Sequence, residues 1–474
     1  MSHTVTATAE STKLGSAVRW EIVVCVAAGF TTLLDSAVLG IGVPSIRASL
    51  DASTSEVQWI LASYSLTFGL ALVPAGRLGD VVGRRRLFLA GLSIFAVMGI
   101  LGACASDPSM IVLARLGQGI GAGTISSQVL GIITDRVSGK ARAKALGAYS
   151  TAGGLAGVSG PILGGVLLKY SDADFGWRLL LVLNVPFALI TLILAFRFLR
   201  RDRTTRSGAS IDPVGLCLLA TTTGLLLWPI VTRTSVTVAA AFLIGAFGAA
   251  VAFWFWERRY AERGGTPVLL PSLIASRGFR LGTTVALFWF GSILAVNAVL
   301  SLYLIEGLGF APLSAALIMT GSSLAMALTS AFGWRLVARF GRSAVVFAIV
   351  GEILVILGYI AAVNLIPREH LIPVLVVLAV LSGVASGLVD APNRVLTLEY
   401  APAGANGVAA GFLQLSQRLS ATISLAAVSG LYLGVLGYSP DGYGRAFGIA
   451  LAVCVVMLTL SLAGAVADLR RRRT

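Results

Sequence analysis

Apolar positions in this chain neither alternate nor recur on one face of a helix; they run on without a break. Stretches of about 20 such residues, the length a helix rising about 1.5 Å per residue needs to cross the hydrocarbon layer, recur from end to end. Fourteen runs stand out, at roughly 20–41, 58–75, 87–105, 109–131, 146–168, 178–199, 212–231, 236–256, 283–304, 313–332, 343–364, 371–391, 406–434 and 445–467. Polar residues gather in the gaps between them. The pattern predicts an all-α polytopic membrane protein. Composition agrees, since 57% of the 474 residues are hydrophobic and 12% are charged, with a mean hydropathy of +0.89.

Charge adds a direction. Alternate gaps are basic, at Arg77 and Arg84–Arg86, at Arg136 to Lys144, at Arg197 to Arg206, at Arg258 to Arg280, at Arg335 to Arg342 and at Arg470–Arg473. The gaps between these are short and weakly acidic, with Asp51, Glu56, Asp107, Asp172, Asp174 and Asp441. Basic residues at span ends stay on the cytoplasmic side, so both termini are expected there and the number of crossings is even. The net charge of +15 is split among membrane-edge segments, and a nucleic-acid partner, which needs one basic face or stripe, is excluded. The polar opening has no apolar core of its own, so the first span is expected to remain as the insertion signal. An excess of Arg over Lys points to a bacterium, and hence to its inner membrane.

Several chemistries lack material. Cys25, Cys104, Cys217 and Cys454 fall in apolar runs without metal-ligand spacing, and the histidines are His3 and His370. No metal, disulfide or enzyme active site is expected. No GxxxxGK[ST] is present, so no nucleotide or other cofactor is implied, and an ion gradient is left as the energy source.

The runs divide as a duplication with an insert. The expected units are a tail (1–18), a six-helix bundle (19–205), two inserted helices with basic linkers (206–262), a second six-helix bundle (263–468) and a basic C-terminus (469–474). The gap at Gly76–Arg86, GRLGDVVGRRR, has an echo at Gly333–Arg342, GWRLVARFGR, as a parallel repeat requires. Ala338 stands where Asp80 would recur. Any device built on the acid is therefore expected to be asymmetric, with Asp80 irreplaceable and the counterpart dispensable.

Ionisable residues inside the runs are costly, at least about 2–3 kcal/mol each, and mark function. Asp35 in the first run and Arg115 in the fourth lie at matching depth, about 21–22 Å from the cytoplasmic side. A carboxylate whose arginine partner comes and goes binds a proton in one arrangement and releases it in the other. A fixed structural ion pair fits the same residues. Glu352 and Arg418 are also close in depth; Glu352 is either a second protonation site or the neutralising partner of Arg418. Asp390, nearer a span end, reads as a snorkelling or capping acid. Candidate cavity residues are Trp59, Tyr64, Gln118, Trp289, Asn297 and Gln414, the aromatics for their cation–π capacity.

Taken together, these motifs resemble the major facilitator superfamily. GRLGDVVGRRR is similar to that family's loop between its second and third helices. LLDSAVLGIGVPSI (Leu33–Ile46), LARLGQGIGAG (Leu113–Gly123) and GGLAGVSGPILGG (Gly153–Gly165) resemble motifs of its drug:proton antiporters. WRLLLVLNVPF (Trp177–Phe187), IDPVG (Ile211–Gly215) and FWFWERR (Phe253–Arg259) resemble its fourteen-helix branch. The resemblance implies the major facilitator fold and alternating-access efflux of amphipathic or cationic lipophilic drugs against protons, as a monomer. Under it, Gly76, Gly79, Asp80, Gly83 and Arg84 form a cytoplasmic latch, where the residues alone also allow a plain basic turn. Gly157, Gly160, Pro161 and Gly164 form the antiporter helix, close-packed and able to bend. Ala37 and Gly40 depart from the pattern, where Thr and Asn are usual. Export of one natural product or lipid, or a transport-inactive sensor or scaffold, are the other readings.

Overall fold

The computed structural model describes residues 15–201, 212–232, 234–265, 267–268, 271–310, 312–401, 406–438 and 442–473. The first fourteen residues, the basic linker at 202–211, Asp441, and the side chains of Pro161 and Ala338 lie outside what is described. Every element among the described residues is helical. In chain order they are α1 (Ser16–Leu50), α2 (Thr54–Val82), α3 (Arg84–Ala103), α4 (Pro108–Arg136), α5 (Gly139–Lys169), α6 (Ala173–Val182) and α7 (Asn184–Phe198). There follow α8 (Pro213–Thr232), α9 (Val236–Glu262), the short α10 (Pro271–Ala275) and α11 (Arg277–Leu302), which runs into a π turn at Tyr303–Gly307. The last are α12 (Pro312–Phe340), α13 (Arg342–Leu365), α14 (Arg368–Leu398), α15 (Asn406–Tyr438) and α16 (Tyr443–Arg473).

Eleven of the described helical stretches are long and apolar enough to cross a membrane, and two shorter apolar helices occupy Pro213–Leu226 and Leu317–Gly333. The α4 helix is not among them, because Arg115, Gln118, Ser126, Ser127 and Gln128 lie among its buried residues. The apolar run at 178–199 spans α6 and α7, which join at Leu183. The C-terminal arginines continue α16 as helix to Arg473 instead of forming a tail.

Helix starts are written in the sequence. Ser53 and Glu56 close a capping box over the first turn of α2, and Asp107 accepts the Met110 amide ahead of Pro108 in α4. The hydrogen bonds from the Ser53 side chain and backbone hold the exposed Glu56 carboxyl below its usual range. The α2–α3 and α12–α13 junctions are single glycines, Gly83 at φ 111° and Gly341 at φ 53°, which side-chain-bearing residues rarely adopt.

Two groups of helices share one packing plan. In the first, α1 packs on α5 and α7, and both α2 and α3 pack on α4. In the second, α11 packs on α15 and α16, and both α12 and α13 pack on α14. Each group has its own apolar core. The groups meet through α5 against α12 and, symmetrically, through α2 against α15. The α8–α9 pair attaches through α8 to α2 and α15. Trp59 of α2 meets Trp228 of α8 edge-on at 5.0 Å, and Trp228 stacks on Phe242 of α9 at 6.1 Å.

Candidate functional site

The first group of helices closes around one buried carboxylate. Asp35 on α1 and Arg115 on α4 are each 2% exposed, and Arg115 Nη1 donates to Asp35 Oδ2 at 2.6 Å. Asn184, the first residue of α7, donates from Nδ2 to the other carboxylate oxygen at 3.0 Å. Leu183 keeps helical dihedrals, so α6 runs on into α7 as one stretch that sets Asn184 beside α1. Arg115 also donates to Gln118 Oε1 at 3.0 Å and lies over the Tyr64 ring at 4.3 Å. The Tyr64 hydroxyl in turn donates to the Thr32 carbonyl at 3.1 Å. Two helices besides α1, namely α4 and α7, therefore hold both oxygens of one buried carboxylate, which satisfies it far better than a single contact would.

Beyond this cluster lies the second group's arginine. Phe68, one turn along α2 from Tyr64, carries Arg418 of α15 over its ring at 4.0 Å. Gly69 leaves room for Leu415 and Arg418 at this crossing. Asp35, Arg115, Tyr64, Phe68 and Arg418 thus form one continuous path between the groups.

Three expectations need correction. Glu352 and Arg418 do not meet: α13 packs on α14 and α16, whereas α15 packs on α2, α4 and α11. Glu352 instead accepts a hydrogen bond from Ser382 of α14 at 2.7 Å. Its Oε2 has no hydrogen-bond partner among the described residues. Asp390 does not snorkel, because it is buried between the groups, accepting from Ser150 of α5 at 3.1 Å, Arg394 at 3.1 Å and Gln417 of α15 at 3.3 Å. Of the aromatics proposed for a cavity, Trp59 meets Trp228, Tyr64 lies under Arg115, and Trp289 packs in the core of the second group. Gln118 likewise serves Arg115, while Gln414 is buried and Asn297 half-buried.

The third correction concerns the loops. In Gly76–Arg86, Arg84 pairs with Asp80 at 2.8 Å and with Asp135 at the end of α4 at 2.7 Å. A Cβ on Gly79 would overlap the Gln128 amide, which donates to the Ala75 carbonyl at 2.7 Å. Arg77 reaches across to the Pro267 carbonyl at 3.0 Å. In the echo, the acid missing at 338 is replaced from another helix. Arg342, 1% exposed, pairs with Asp468 of α16 at 3.1 Å and donates to Asn393 Oδ1 at 2.5 Å. A buried arginine cannot stay uncompensated, so the counterpart loop is not dispensable.

The α5 glycines face two ways. A Cβ on Gly154 would come within 2.9 Å of the Ala327 backbone on α12, and one on Gly147 within 2.8 Å of the Ser330 carbonyl. Gly157 faces Ser323, and Thr151 donates to the Ala327 carbonyl at 3.1 Å. On the other side, a Cβ on Gly160 would come within 2.6 Å of Ala37 on α1. That crossing accounts for Ala37, because a threonine would add atoms where the helices already touch. Gly164 is buried farther along the same helix, which runs unbroken through position 161.

Sequence reasoning missed Asn184, Ser150, Arg394, Asp135 and Asp468. For Asn184 a signal existed, an amide inside an otherwise apolar run. For Asp468, next to the terminal arginines, none did.

Comparison with known proteins follows the same lines. The sequence profile described as Major Facilitator Superfamily matches residues 25–301. The "Probable actinorhodin transporter" of Streptomyces coelicolor is 33% identical over 428 residues, covering 88% of this chain and 73% of that protein. The puromycin resistance protein of Streptomyces alboniger is 30% identical over 485 residues, covering 95% and 92%. Among solved structures, the proton:xylose symporter XylE bound to 6-bromo-6-deoxy-D-glucose aligns over 94% of this chain and 95% of its own with a TM-score of 0.68. At 15% identity that match speaks for the fold.

Proposed function

The chain belongs to the major facilitator superfamily and is a transporter, not an enzyme, and on that footing we propose that it exports amphipathic or cationic lipophilic compounds in exchange for protons. The observation that carries this reading is the Asp35 cluster, in which one buried carboxylate is held by an arginine and an amide from two other helices. In this arrangement Arg115 donates directly to Asp35. When the helices part, or a cationic substrate competes for the carboxylate, the proton state and the binding state exchange. The Phe68–Arg418 contact supports a link from that exchange to the second group of helices. The contacts of α5 with α12 at Gly147, Thr151, Gly154 and Gly157 lie toward the arginine-rich end. They support a conformation closed on the cytoplasmic side, with Asp80 and Arg84 as part of the latch.

The eleven long stretches, the two shorter helices and α4 add to fourteen crossings, 11 + 2 + 1. We take them as two six-helix bundles with α8 and α9 between, both termini in the cytoplasm, in a bacterial inner membrane.

Reconstitution with an imposed pH gradient tests the coupling. Asp35→Asn should lose gradient-driven transport while still binding substrate. Full retention would remove Asp35 as the coupler and bring Glu352 forward. A second reading, export dedicated to one natural product, is favoured by the actinorhodin relative's name. Cells lacking other pumps separate the two, because a broad exporter lowers the accumulation of cationic dyes and a dedicated one leaves it unchanged.

A further inference from the structure

On the outer side of the second group, α12 and α13 both pack on α14 but scarcely touch each other. The space between them is an apolar groove of about 600 Å³, with Leu336 and Phe340 on α12, Phe347 and Gly351 on α13, and Leu381 and Leu388 on α14 among its lining residues. It begins at the arginine-rich junction around Gly341 and follows α13 from Ala344 to Val355. That length, eleven residues at about 1.5 Å each, is roughly 16 Å, the depth of one leaflet. Two arginines adjoin its α12 lining residues: Arg339, over the ring of the lining residue Phe340 at 5.3 Å, and Arg335, next to Leu336 in the chain and over the Phe332 ring at 5.3 Å. Both are exposed, and the position between them that holds an acid in the first loop is an alanine here.

We propose that this groove seats an anionic phospholipid, its phosphate between Arg335 and Arg339 and one acyl chain between α12 and α13. The lining supplies no hydrogen-bonding side chain along the leaflet depth, which suits a hydrocarbon chain. The two cations at the interface select negative headgroups, each near-surface arginine being worth about fivefold in partition. Gly351 sharpens the assignment, since a Cβ built there meets nothing within 4 Å. The groove is thus open where the glycine faces it, and a larger side chain would displace the lipid without crowding the protein.

The test uses the full chain in vesicles of phosphatidylethanolamine and phosphatidylglycerol with matched acyl chains. The protein is extracted with its neighbouring lipid, and the retained ratio is compared with the bulk. Wild type should hold phosphatidylglycerol several-fold above its bulk share. The double variant Arg335→Gln, Arg339→Gln should fall to the bulk ratio, and Gly351→Leu should lower total retained lipid. A photoactivatable phosphatidylglycerol should label wild type within residues 336–355 and be displaced by unlabelled phosphatidylglycerol, not by phosphatidylethanolamine. Retention at the bulk ratio in wild type, enrichment unchanged in the double variant, labelling elsewhere, or equal displacement by both lipids would each overturn the proposal. The labelling arm uses the unaltered protein, so a poorly folding variant does not blunt it.

Discussion

The α2–α3 and α12–α13 junctions hold the same place in the repeat and have different electrostatic solutions. Each is a glycine at positive φ followed by an arginine that opens the next helix. Arg84 finds its acids within its own group, at Asp80 and at Asp135, the latter 43% exposed. Arg342 finds Asn393 on α14, the counterpart of α4, and draws its acid from α16, with both partners 1% exposed. Water at the first pair lowers the cost of separating it, whereas separating the second would strand two charges in a dry interior. The first junction is therefore suited to open and close, and the second to hold its helices together. Position in a repeat preserves the glycine and the arginine, while charge balance is restored by whichever helix can reach.

The largest effect expected from this contrast belongs to Arg342→Ala. It removes the buried arginine paired with Asp468, which also accepts from the Tyr400 hydroxyl, and should cost about 3–5 kcal/mol, measured as loss of monodisperse protein on heating in detergent. Arg84→Ala should cost less, about 1–3 kcal/mol, since Asp135 is 43% exposed to solvent; equal losses would remove the contrast. Gly83→Ala and Gly341→Ala should each cost roughly 1–2 kcal/mol in the same assay, because both glycines hold a positive φ. Asp80→Asn should be mildest in stability, about 1 kcal/mol, because Arg84 keeps Asp135. It should nonetheless slow transport in vesicles, and a variant with normal transport would show that the first loop does not switch.

The fold was largely legible because each apolar run needed only length and hydropathy to be read. At the site, counting residues along each span put Asp35 and Arg115 at one height, and they meet. The same count misled for Glu352 and Arg418, because height says nothing of direction around the bundle and α13 and α15 are not neighbours. Asp390 looked peripheral for a related reason, as its burial comes from α5 and α15 and not from its own helix. Asp468 could not be found, because an acid followed by four arginines carries the signature of a solvated end.

The aromatic contact between α2 and α8 gives the molecule an optical gauge. Trp59 and Trp228 sit edge to face at 5.0 Å, with Phe242 stacked behind. Indoles this close share excitation and quench each other, so their emission reports their spacing. If α8 and α9 ride with α2 through the cycle, that emission stays constant as substrate is added; if they lag, it brightens in step with each turn of transport.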